Sequence, residues 1–202
     1  MLFRSLETVE VIERARAAGT QVTCEATPHH LLLTDQAVHS LDTNFKMNPP
    51  LRSDADRRAL IEALRSGTID CIATDHAPHA REEKEQPFEL APMGVTGLET
   101  AFAALHTGLV LGGMIELSLL VERMTAGGAP YGLEPPTLRP GAPANLCLVD
   151  LEADWDVGEA GYESRSANCA FAGKRLTGRV RMTIADGAVA YRERSFALGA
   201  VA

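Results

Sequence analysis

The stretch "CIATDHAPHA" (residues 71–80) drives a run of small and apolar residues, Cys71, Ile72 and Ala73, into Asp75, His76 and His79. A carboxylate at the end of an apolar strand is costly unless a cation or hydrogen-bond donors meet it. Asp75 as a metal ligand answers that cost directly, and the remaining ligands would have to come from elsewhere. The plainer alternative is that Asp75 forms a turn or caps a helix. A second group of polar residues, Pro28-His29-His30 and then "KMNPPLR" around Asn48, follows another strand-like segment. His29 and His30 read as packing and capping groups, and Asn48 before two prolines could simply start a turn. His39 and His106 have no polar company nearby in sequence and read as surface or core residues.

The elements that must position these residues follow from periodicity. "SLETVEVIERARAAG" places Leu6, Val9, Ile12 and Ala15 about one helical turn apart, with Ser5 as N-cap and Gly19 as stop. "QVTCEAT" alternates and predicts a strand. "SDADRRALIEALRSG" predicts a second helix, with Ser53 as N-cap, Asp54 and Asp56 in the positive first turn and Gly67 at the end. "IDCIAT" predicts the strand that delivers Asp75. Helix, strand, loop, helix, strand, loop is the alternation of a parallel α/β sheet or barrel. In such barrels the functional groups sit at the C-terminal ends of the strands.

"REEKEQPFELAPMG" reads as a mobile, solvent-facing charged loop, and "TGLETAFAALHTGLVLGG" and "IELSLLVERMTAGG" as two further helices. After "EPPTLRPG" the texture turns to short strands and turns, with Asp186-Gly187 a hairpin signal. A domain boundary near residue 135 is expected, giving an α/β unit over 1–135 and a small β-rich unit over 136–202.

Composition bounds the function. The 202 residues are 46% hydrophobic and 23% charged, as in an ordinary globular chain. A net charge of −8 disfavours nucleic acid and anionic membranes as partners. No apolar run approaches the roughly 20 residues that span a bilayer, and the acidic beginning lacks a signal-peptide core. The four cysteines are widely spaced and read as reduced, which predicts a cytoplasmic protein.

Taken together, "CEATPHHLLLTD", "KMNPPLR", "ATDHAPH" and "GVTGLET", with the tail "RPGAPANLCLVD" and "FAGKRLTGRVRMTIADGAVAYR", closely resemble the class I dihydroorotases of the amidohydrolase superfamily. The resemblance covers essentially the whole chain. It implies the C-terminal portion of a (β/α)8 metal-dependent hydrolase barrel with a small β-rich appended domain. The implied activity is the interconversion of dihydroorotate and N-carbamoyl-aspartate in pyrimidine biosynthesis. It also implies that Asp75 is the strand-eight aspartate, touching zinc and moving a proton. Asn48 and His79 match positions that hold the substrate's ring and carboxylate, and Met93 and Gly94 a pair whose backbone contacts the ring. Met93, where that family carries Phe, is a mild departure. The family's remaining metal ligands have no counterpart here, and "MLFRS" stands where a strand-six histidine motif is expected. The isolated chain is therefore expected to be an inactive fragment. Homo-oligomerisation, or association with another pyrimidine-pathway enzyme, is a possible arrangement. The alternatives are a non-catalytic dihydroorotase-like partner and a related cyclic amidase, an allantoinase or dihydropyrimidinase. The intact "TDHAPH" argues against the first and His79 against the second.

Overall fold

The computed structural model describes residues 4–134, 137–193 and 196. Helix α1 (Leu6–Ala17) leads to strand β1 (Glu25–Ala26), the short helix α2 (Pro28–Leu32), helix α3 (Asp54–Ser66) and strand β2 (Cys71–Ile72). β1 and β2 pair in parallel, Glu25 opposite Cys71 and Ala26 opposite Ile72, so the segment from β1 to β2 is a β-α-β crossover. The strands are far shorter than their sequence segments because each has a single partner among the described residues, and the ladder ends where that partner turns away. Two further backbone hydrogen bonds, Asp70 N–H to Cys24 O and Ala73 N–H to Ala26 O, continue the register at either end.

The caps form as the residue types require. Ser53 accepts from the Asp56 amide, Asp54 and Asp56 lie in the first turn, and Gly67 closes α3 at φ 88°. At α1 the expected Ser5 cap is absent, because its hydroxyl pairs with Thr8 Oγ1 at 2.8 Å instead. Leu60, Ile61 and Leu64 of α3 join Val9 and Ile12 of α1, Cys24 and Ala26 of β1 and Leu105 and Leu109 in one buried cluster.

At the N-terminal end of the two strands, Arg16 binds them together. Its guanidinium meets Asp70 Oδ2 at 2.7 Å and also donates to the carbonyls of Val22 and Thr68. Asp70 Oδ2 in turn accepts from the Cys24 amide at 2.7 Å. Burial, then the Asp70 charge, push the Cys24 thiol up to about 11, so it remains protonated at neutral pH.

The expected mobile loop at residues 81–94 is ordered differently. Arg81–Lys84 forms a short helix, α4, and Lys84 is buried rather than solvated. The long helix expected over 96–113 is confined to α5 (Ala101–Leu105), which continues as a π-helical turn through His106–Val110. Helix α6 (Leu117–Met124) is likewise shorter than its periodic segment and gives way to a 3-10 turn over Ala126–Tyr131. No helix among the described residues is long and apolar enough to cross a membrane.

The remaining strands form an antiparallel sheet in the order β3 (Leu146–Asp156), β4 (Arg175–Ala185), β5 (Ala188–Arg192). Asp186 (φ 48°) and Gly187 (φ 80°) make the hairpin turn that their types predict. This sheet packs directly on α5. Ala103 and Ala104 share a buried cluster with Val157, Cys169, Phe171 and Leu176. Thr177 donates its amide to Thr107 Oγ1 (2.8 Å), and its carbonyl accepts from His106 Nδ1 (3.1 Å).

Candidate active-site loops

Each parallel strand runs into a polar loop. β1 leads into Thr27, whose hydroxyl accepts from the His30 amide and donates to His30 Nδ1 at 2.7 Å. His30 Nε2–H then donates to the Pro49 carbonyl at 2.9 Å, tying α2 to the loop that carries Asn48. These partners fix the neutral, Nε2-protonated tautomer, and burial lowers the His30 pKa against the raising effects of Pro49 and Asp75. Asn48 is exposed and precedes a cis peptide bond to Pro49. His29, almost fully buried, has no hydrogen bond at Nε2. Burial first and the neighbouring His30 second hold its pKa down to about 3. Both histidines are buried, as the packing reading has it, but the cap of α2 is Thr27 rather than either of them, and His30 links two loops.

β2 leads into Asp75, exposed and with backbone in the left-handed region at φ 48°. Aspartate is among the few types that adopt this conformation readily. His76 Nδ1 accepts from the amides of Gly97 (3.1 Å) and Leu98 (3.3 Å), and residue 76 bridges Val95 in parallel. His79 Nε2–H donates to Met93 O at 3.0 Å, while its Nδ1 faces Glu83 Oε2 at 3.5 Å. Gly94 sits under the His79 ring at φ +129°, where a Cβ would come within 2.8 Å of His79 Nε2 and 2.7 Å of Ala77 Cβ. Met93 is 56% exposed. The Gly94 amide is engaged by Lys46 O at 3.0 Å, and the Gly94 carbonyl accepts from Lys84 Nζ (3.0 Å) and Asn168 Nδ2 (3.1 Å).

The structure therefore brings His79, Met93 and Gly94 into direct contact. Asn48 is tied to α2 through Pro49, whose carbonyl accepts from His30 Nε2–H. Sequence reasoning missed Lys84, placed in a solvated run, and Asn168, far from any motif. A lysine followed by loop prolines carries no signal of burial, and Asn168 becomes visible only through tertiary contact.

The residues present do not fit a zinc centre. Among the described residues no group of three or more His, Cys, Asp or Glu side chains is placed to hold a metal ion, whereas protein zinc sites normally supply three or more ligands. The imidazoles beside Asp75 are also engaged: both His30 nitrogens, and His76 Nδ1, already have partners.

Strand-end loops lie on a parallel pair, with an antiparallel sheet packed behind, an arrangement that matches part of larger α/β barrel enzymes of known structure. The chain superposes with a TM-score of 0.84 on L-hydantoinase (dihydropyrimidinase) from Arthrobacter aurescens, at 30% identity, over 95% of this chain and 44% of that one. It superposes on a D-hydantoinase from a Thermus species with a TM-score of 0.85 at 23% identity, a likeness of fold alone. In sequence the chain is similar to dihydroorotases, as its motifs imply. It is 49% identical over 192 residues to the dihydroorotase of Bacillus subtilis (strain 168) and 48% identical over 192 residues to that of Bacillus licheniformis. In both cases 93% of this chain aligns with 44% of the relative, so it spans less than half the length of these proteins. No protein-family model matches it.

Proposed function

We propose that this chain supplies the C-terminal, substrate-facing part of a dihydroorotase-type cyclic amide hydrolase, completed by polypeptide corresponding to the rest of its relatives. The observation that carries this reading is the convergence of His79, Met93 and Gly94, with His79 on the same loop after β2 as Asp75. Identity of 48–49% to dihydroorotases supports it.

In this reading His79 exchanges its Met93 hydrogen bond for the carboxylate of dihydroorotate, and Asn48 holds the ring from the opposite loop. Asp75 takes the proton of the attacking water and delivers it to the departing ring nitrogen. Fixing the ring between two rigid loops makes that transfer nearly intramolecular. Asp75 would supply one ligand to a metal whose other ligands come from the completing polypeptide, and the metal would activate the attacking water. Cys24, Cys71, Cys147 and Cys169 form no disulfide, which supports a cytoplasmic setting. The partner is a small anionic metabolite, and the complementary part of the barrel comes from a longer polypeptide, a second copy or another pyrimidine-pathway enzyme.

The test is to join this chain to the N-terminal part of the Bacillus subtilis dihydroorotase and to measure turnover of dihydroorotate. Hydrolysis that disappears with Asp75→Ala supports the proposal. A soluble hybrid that turns over hydantoin or dihydrouracil but not dihydroorotate transfers the site to the hydantoinase reading, which the likeness to L-hydantoinase favours.

A further inference from the structure

Asn168 lies in the β-rich part of the chain, 5% exposed and outside every motif that carries the chemistry. Its amide nitrogen donates to Ala77 O at 3.0 Å and to Gly94 O at 3.1 Å. Its oxygen accepts from the His79 amide at 3.2 Å and from the Ser166 hydroxyl at 2.6 Å. Both donors and both acceptor positions of a carboxamide are thus used, the most that this side chain can do. The backbone reinforces the link, since Thr96 N–H donates to Asn168 O at 2.9 Å. The Ser166 hydroxyl also contacts the His79 carbonyl and lies 3.2 Å from its amide.

We infer that Asn168 is a positioning residue that clamps the His79 loop to the Gly94 loop, so that the β-rich unit sets the width of the substrate-binding gap. The clamp itself is a property of the fold, whereas its effect on substrate rests on the function proposed above. The amide's chemistry makes the role specific. Aspartate has the same shape, but it would place an oxygen against two carbonyl oxygens, reversing two attractions while retaining the contacts from His79 and Ser166.

The test compares the full chain with its Asn168→Asp and Asn168→Ala variants by amide hydrogen exchange. Loss of such a hydrogen bond corresponds to about a tenfold change in a local opening equilibrium. Exchange at His79 and Gly94 is expected to rise by about that factor in Asn168→Ala and by less at His79 in Asn168→Asp, which keeps an acceptor for that amide, with α1 and α3 unchanged. Should Asn168→Asp fail to fold, Asn168→Ala and Ser166→Ala give the same readout, the serine variant with the smaller rise. Unchanged exchange at His79 and Gly94 in a folded variant overturns the clamp. In the hybrid enzyme, Asn168→Ala raises KM for dihydroorotate several-fold with kcat nearly preserved, and a fall in kcat at constant KM overturns the positioning role. A parent hybrid without turnover sinks the dihydroorotase reading, and the exchange rates then decide the clamp alone.

Discussion

His79 lies over Gly94 so closely that a methyl group on the glycine would come within 2.8 Å of the imidazole Nε2. The positive φ of +129° independently excludes other residues. Gly94→Ala should therefore destabilise the protein by about 1–3 kcal/mol. It should also push the His79 ring away from Met93 O, raising KM in the hybrid enzyme. Thermal unfolding and steady-state kinetics on the same preparation check both effects.

Asp75 is exposed and forms no ion pair among the described residues, so little of the fold depends on its carboxylate. Asp75→Ala should remove turnover from the hybrid while costing only about 1–2 kcal/mol of stability, from alanine in a left-handed conformation. Asp75→Asn, which retains the side chain's tolerance of φ 48°, should be equally inactive. A urea titration beside the activity assay separates the two effects, and near-normal turnover in either variant removes the proton-transfer role.

Acid should weaken the fold through His29. Its pKa falls from 6.5 in the unfolded chain to about 3 in the folded one. Between those values the unfolded chain binds a proton that the folded chain refuses. Stability is therefore complete above pH 6.5 and declines as pH falls toward 3, with a limiting slope of about 1.4 kcal/mol per pH unit. His29→Phe should flatten that decline, read as urea midpoints at pH 7 and pH 5. At neutral pH the variant should be little destabilised, because the Nε2 it removes has no hydrogen bond.

Arg16 and Asp70 hold the N-terminal ends of the parallel strands together. Arg16→Ala should cost about 2 kcal/mol, between the values typical of exposed and buried pairs. It leaves the Asp70 carboxylate, 17% exposed, with the Cys24 amide as a remaining donor. A double-mutant cycle with Asp70→Asn measures the coupling.

Much of the architecture could be read locally. Ser53, Gly67 and the Asp186-Gly187 turn act within a few residues of themselves, so their chemistry is visible in order along the chain. The Asp75 and His79 loop was legible because a strand, a carboxylate and stiffening prolines are consecutive. Strand lengths were not legible, since Val22 and Thr74 could extend a ladder only if partners ran beside them. Nor was the burial of Lys84, whose charge is met by the Pro92 and Gly94 carbonyls. The π turn after Leu105 follows from docking against Thr177, a residue 70 positions away from Thr107. Such relationships are created by folding and leave no trace in neighbouring residue types.

The seating of β4 on α5 bears on how this protein can be recombined. Gly178 lies so near His106 and Phe102 that a Cβ there would sit 3.0 Å from His106 Nδ1, and Asn168 reaches the loops from the same segment. A graft that exchanged residues 136–202 for those of a relative would import a foreign lining for the binding loops. Crossover points for chimeras are therefore better chosen ahead of α1, where the strand-end loops and the sheet behind them travel as one piece.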